Sequence, residues 1–205
     1  VAYPAIWFIK VIQKFIEISV TAQPFIMGVV ISVVMGILLT MPTSSAAIWI
    51  AIASGSTSDA MMLAGGAAVV GCAAQMVGFA VMSFKENGVG GLISQGIGTS
   101  MLQIPNIMKH PLIFVPPIIA SAIVGPIATC VFKLRCTAGG GGMGTSGLVG
   151  VFGAVEASKG VVSDANIALG IVFLMFVIPA VVSLLFRILF EKKGWIKGEW
   201  MKLDV

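Results

Sequence analysis

Apolar residues run through this chain in long blocks, and the polar positions between them mark its elements. Residues 5–22, AIWFIKVIQKFIEISVTA, carry Lys10, Gln13, Lys14 and Glu17 at helical spacing among apolar neighbours. That pattern predicts an amphipathic interfacial helix, or one whose polar stripe packs against protein. Pro24 marks its end. Residues 25–41, FIMGVVISVVMGILLTM, form the next block, at the short limit for crossing about 30 Å of hydrocarbon. After Thr43-Ser44-Ser45 comes AAIWIAIAS, which at nine residues cannot span alone. It either extends a helix kinked at Pro42 or dips into the membrane and returns. Residues 60–84 are the clearest span. Ala60, Ala64, Ala67, Gly71, Ala74 and Gly78 put a smooth stripe on it, suited to close helix approach. Gln75 lies deep in the same segment and needs a partner there, most simply on a neighbouring helix. Residues 112–132 and 165–190 are further spans, with kinks predicted at Pro116, Pro117, Pro126 and Pro179.

Two segments fit neither span nor loop. Residues 88–104, GVGGLISQGIGTSMLQI, are too broken by glycine for one and too apolar for the other. Residues 139–150, GGGGMGTSGLVG, hold seven glycines in twelve positions between apolar stretches. Both contain Gly-x-Gly-Thr-Ser, with the two threonines 46 residues apart. A weaker echo, MPTSSAAI, lies at 41–48. These breaks predict re-entrant segments, because irregular backbone at membrane depth must be buried in protein or line a cavity. Their recurrence predicts internal repeats.

Composition then fixes the class. The mean hydropathy is +1.08. Only 10% of residues are charged, and none at all in 18–58 or 60–84. A soluble domain carries about 25%. The chain is therefore read as an all-α polytopic integral membrane protein, one membrane domain over 1–205, with its transmembrane and re-entrant core in 25–190. Residues 191–205 read as a charged cytoplasmic tail, its Trp195 and Trp200 suited to headgroups. The chain opens on Val1, so spans upstream of it are allowed for. A net charge of +4 is small and scattered, which points to topology rather than nucleic-acid binding. If each broken segment returns to its own side, Lys10, Lys14, Lys85, Lys109 and the tail share one face. Lys133, Arg135 and Lys159 share the other, and the first face is cytoplasmic by its positive excess. The three cysteines form no metal or disulfide pattern. Cys72 and Cys130 are expected to fill apolar space, and Cys136 to lie near an interface.

A helix interrupted within a membrane frees N–H groups at one end and C=O groups at the other, which bind ions or polar solutes. Thr99, Ser100, Thr145 and Ser146 add hydroxyls to that supply. Gln103, Asn106, His110 and Glu156 lie around them. His110 and Glu156 each follow the threonine of their motif by eleven residues. The glycine runs are not phosphate loops, since no Gly-Lys-Ser/Thr follows, and no βαβ pattern surrounds them. No metal or other cofactor is implied.

At these motifs the chain resembles a known family. GIGTSMLQIPNIMKHPLIFVPPIIASAIVGPIAT, GGMGTSGLVG and GILLTMPTSSAAI look like the membrane component, enzyme IIC, of a sugar phosphotransferase system. The branch they most resemble contains PfoR-type regulators of toxin expression. The resemblance implies a bacterial cytoplasmic-membrane protein that moves a sugar while a separate cytoplasmic IIB protein phosphorylates it. The phosphoryl-donor residue belongs to IIB, so no catalytic residue is expected here. The work left to this chain is to bind sugar and present a hydroxyl. Thr99, Ser100, Gln103, Asn106, His110, Thr145, Ser146 and Glu156 are the candidate sugar ligands. A homodimer is implied as well. Two other readings stand beside this one: a membrane sensor or regulator that keeps the fold without group translocation, and a structural membrane protein with no solute site.

Overall fold

The computed structural model describes residues 2–203, and among them the fold is all helix and turn. Nine helices organise it. α1 is Ala2–Ala22, α2 Pro24–Thr40, α3 Ser45–Ala53, α4 Asp59–Met82 and α5 Phe84–Ile93. α6 is Ile104–Lys109, α7 Pro111–Phe132, α8 Val149–Ser158 and α9 Asp164–Lys192. Three of them, α4, α7 and α9, are long and apolar enough to cross a membrane. The chain is a multi-pass membrane protein. α2, the first expected span, is apolar but shorter at 17 residues.

α4 is the central helix. Every residue from Ala64 to Ala80 is buried. A helix enclosed on all sides can be approached closely only where its side chains are small. Gly71 shows why: a Cβ there would stand 2.0 Å from the carbonyl oxygen of Ser32 on α2. At this crossing Ser32 Oγ donates to Ser121 O of α7 at 2.8 Å, and Ser121 Oγ to Gly71 O at 3.1 Å. Gln75 Nε2 points to Ser121 Oγ at 3.5 Å, the inter-helix partner its depth requires.

Three apolar clusters surround α4. One joins α1, α2 and α3 through Ile16, Val20, Ile31, Met35 and Trp49. A second joins α7 and α9 through Val124, Leu134, Ile171 and Leu174. The third gathers Phe79, Met82, Ile113, Phe114, Phe190, Ile196 and Met201 at one end. Outward, α2 exposes Phe25, Ile26, Val30 and Val34, and α9 exposes Val172, Val181, Leu185 and Leu189. Apolar faces of this kind are what lipid covers.

Each end of the bundle carries an ion pair. At one, Arg135 clasps Asp59 with two hydrogen bonds, at 2.5 and 2.9 Å. At the other, Arg187 takes Glu86 at 2.6 and 3.1 Å and Glu191 at 3.0 Å.

Several expectations change. Pro116 and Pro117 do not kink α7; they open its α-helical part, where a missing N–H costs nothing. Pro126 and Pro179 instead adjoin π-helical stretches, Ala128–Phe132 and Ile171–Val177. α3 is a separate helix capped by Ser44 rather than a continuation of α2. The polar stripe of α1 lies with the Asp59 end, not with Lys85. Gln13 Nε2 donates to Ile52 O, and Glu17 accepts from Ser56 and Ser58 just before α4 begins. Those hydroxyls hold the Glu17 carboxyl below the usual carboxylate range. Cys130 is exposed and Cys136 buried, the reverse of their expected places.

Candidate functional site: the meeting of the broken segments

The three hydroxyl-rich breaks meet one another. α5 widens into a π turn at Ser94–Gly98 and stops at Thr99, whose backbone is extended. Thr99 Oγ1 then accepts from Met101 N at 3.1 Å, capping the short helix Ser100–Gln103. A π turn disturbs the regular ladder and occurs often at functional sites. The second break comes after α7, which ends at Lys133 in a left-handed conformation (φ 48°). Residues 134–136 pass along α4, with Cys136 N donating to Met62 O at 3.0 Å. The glycine tract then turns the chain over Cys72 and Ala73. Gly144 takes φ +58°, and a Cβ on it would stand 2.7 Å from Ala73 N. No other residue type fits that turn without strain.

From there the second motif reaches the first. Thr145 Oγ1 donates to Gly96 O at 2.6 Å, and Ser146 Oγ to Gly98 O at 3.0 Å. The third break joins them. Ser45 Oγ donates to Gly142 O at 2.7 Å, and Thr40 Oγ1 and Ser100 Oγ share a bond at 2.9 Å. Thr145 also touches Met76 Sδ at 3.5 Å, which fixes its level on α4. Met76 stands six residues from the last residue of α4, a rise of about 9 Å. Thr40, Ser45, Ser100 and Thr145 are buried, whereas Gly98 and Gly147 are exposed and Thr99 and Ser146 half-buried. The cluster is uncharged and offers hydroxyls and free carbonyl lone pairs at its open edge.

The remaining candidates lie elsewhere. Gln103 and Asn106 sit between this cluster and the segment after α9, with Asn106 Nδ2 donating to Gln103 Oε1 at 2.9 Å. His110 stacks on Trp200, ring centroids 3.9 Å apart. Glu156 is exposed on α8, near the Asp59 end, since Ser158 two residues on bonds both the N–H and the carbonyl of Arg135. Thr99, Ser100, Thr145 and Ser146 thus come together; Gln103, Asn106 and His110 form a neighbouring group, and Glu156 stands apart. Thr40, Asn87 and Gln95 are polar members that the sequence reading passed over. Gln95 was findable: it is a lone amide inside the apolar run LISQGI, as Gln75 is in α4.

A family model described as "Phosphotransferase system, EIIC" matches residues 3–203. The chain belongs to that family. No curated protein and no solved structure matches it. Membership in the EIIC family agrees with three long apolar helices and places the chain in the cytoplasmic membrane. Among the described residues, no group of three or more His, Cys, Asp or Glu side chains is placed to hold a metal ion.

Proposed function

We propose that this EIIC family member binds a sugar at the paired Gly-Thr-Ser tips, carries it across the membrane and presents a hydroxyl to a separate IIB protein. The observation that carries the reading is the open polar edge of Gly98, Thr99, Ser146 and Gly147 at the level of Met76. Backbone of this kind inside an apolar bundle needs protein, water or a ligand against it. Hydroxyls that both donate and accept, beside carbonyls that accept, suit a polyol.

Both Gly-Thr-Ser segments are read as re-entrant, and as a related pair. α5 starts, and α6 ends, near the Glu86 end; residue 135 and Ser158 lie together at the other. The exposed apolar face of α9 gives a homodimer somewhere to form. A PfoR-like sensor that keeps the fold without translocation is the second reading. It is favoured by one observation: Gln103, Asn106 and His110 already hold the chain's own segment rather than standing free.

The test is uptake by membrane vesicles supplied with the soluble phosphotransferase proteins and matched IIB candidates. Phosphorylated sugar should accumulate, and Ser146→Ala and Thr99→Val should each reduce it at least tenfold without loss of folded protein. If no sugar in a broad panel binds the purified chain, and both variants leave cellular sugar use unchanged, transport at the tips is refuted.

A further inference from the structure

The segment after α9 is bound as a peptide ligand would be. Gly194 turns the chain at φ +71°, and Trp195 packs edge-on against Phe190, 5.3 Å between centroids. Gly198 then crosses the Glu86–Arg187–Glu191 cluster so closely that a Cβ would stand 2.2 Å from Glu86 Oε1. Beyond it, three side-chain amides hold this segment by its backbone. Asn87 Nδ2 donates to Met201 O at 2.8 Å, while its Oδ1 accepts from Leu203 N at 2.8 Å. Bonding the carbonyl of one residue and the N–H of the second after it is how a neighbouring β-strand reads a strand. Gln103 Nε2 also donates to Met201 O, at 3.0 Å, and Asn106 Nδ2 to Lys202 O at 2.9 Å. Met201 and Leu203 are buried, Lys202 is exposed, and Trp200 lies flat on His110. Alternate apolar side chains thus enter the protein while the backbone supplies the polar contacts.

The same amides continue inward. Gln103 Nε2 also donates to Gln95 Oε1 at 2.9 Å, and Gln95 Nε2 donates to Ser83 Oγ at 2.8 Å and Gly91 O at 3.0 Å. Gln95 and Gln103 are fully buried. Gln95 lies in the π turn that offers Gly96 O and Gly98 O to Thr145 and Ser146. Buried side-chain networks of this kind couple the groups at their two ends.

We propose that Asn87, Gln103, Asn106 and His110 form a binding site for a peptide of pattern aromatic-apolar-x-apolar that leaves a 3-10 turn at Gly198–Met201 and runs extended from Lys202. The chain's own residues 200–203 are its resident ligand, and their seating sets the position of the first Gly-Thr-Ser tip. The site stands whether or not the tips take a sugar. Because its polar contacts are to backbone, this resident segment, the strap, is exchangeable for another segment of the same pattern.

The experiment uses the full chain in detergent. Trypsin should cut after Lys197 and Lys202 at least tenfold faster in Trp200→Ala/Met201→Ser than in the parent. Asn87→Ala should act in the same direction from the cleft side. A labelled peptide of residues 195–203 should bind the strap-weakened chain by fluorescence anisotropy, and the same peptide with serine at 201 and 203 should not. Amide exchange at Thr99 and Met101 should quicken at least tenfold in the weakened chain and slow again when peptide is added. Equal cleavage of parent and variants, or no peptide binding, overturns the site. Unchanged exchange at Thr99 and Met101 overturns its link to the tip.

Discussion

Thr145 offers a sharp test of how the two tips are joined. Its hydroxyl is buried and donates to Gly96 O at 2.6 Å. Thr145→Val keeps the side chain's volume and removes the donor. The half-buried Gly96 carbonyl left behind has lost a partner that a buried hydroxyl supplied, which costs about 1–3 kcal/mol. Thr145→Ser does the opposite. It keeps the donor and removes one buried methyl, worth about 0.8 kcal/mol of transfer energy plus a small cavity cost. The hydrogen bond therefore predicts that the valine variant is the less stable of the two. Packing alone predicts the reverse, because valine fills the space and serine does not. Thermal unfolding of the purified full chain in one mild detergent ranks them directly. Ser146→Ala belongs in the same series and should cost less than about 1 kcal/mol, since Ser146 is half-buried and water can replace its bond. A serine variant of Thr145 that melts below the valine variant refutes the tip-to-tip hydrogen bond as the joining element.

Other perturbations test the frame around the tips. Gly71→Ala places a Cβ 2.0 Å from Ser32 O and forces α2 away from α4, at a cost of about 1–3 kcal/mol or more in the same melts. Gly90→Ala on α5 meets open space and should be neutral or stabilise by up to about 1 kcal/mol. Arg187→Met leaves the part-buried Glu86 without its cation and should cost about 2–3 kcal/mol, less than for a fully buried pair, with much of it recovered when Glu86→Gln is added. Glu17 carries a carboxyl held below its ordinary value of 4.5 by Ser56 and Ser58. Its contribution is present above that value and is lost as pH falls through the lower, folded one. The melting point of the parent should therefore drop relative to Glu17→Gln as pH falls below about 4.5, and the two should differ by a constant amount well above that value.

The long elements were legible because a helix in lipid must be apolar along its whole length, and a buried helix must be small where another crosses it. The block at 60–84 and its Ala/Gly stripe show both constraints, and α4 is the buried centre of the fold. The breaks were legible too, as glycine and hydroxyl clusters inside apolar sequence. Their partners were not. That Ser45 donates to Gly142 O depends on how α3 packs against α1 and α2, and no local pattern encodes it. The burial of the segment after α9 was not legible, for a physical reason. Its lysines signal a solvated tail, yet Ile196, Met201 and Leu203 alternate among them and are buried, and the amides that bind it recognise backbone, which carries no sequence signature. Gln103, Asn106 and His110 drew attention for the right property, polar side chains near a break in apolar sequence, but polarity alone does not say what a side chain holds.

The two Gly-x-Gly-Thr-Ser motifs are alike in sequence and complementary in chemistry. In the first, the π turn presents the carbonyls of Gly96 and Gly98, while Thr99 is turned to cap Met101 and Ser100 is turned to Thr40. In the second, the left-handed bend at Gly144 sends Thr145 and Ser146 outward as donors. Had both motifs taken one conformation, like groups would face like at their meeting point. Two carbonyls repel, and two hydroxyls bond each other but leave both sets of carbonyls unmet. Donor tip against acceptor tip satisfies both, and it does so while leaving the Gly98–Thr99 edge open. Here the joint is built because the two stretches of like sequence fold differently. The glycines make that possible, since the same five-residue pattern closes as a π turn in one place and as a left-handed bend in the other.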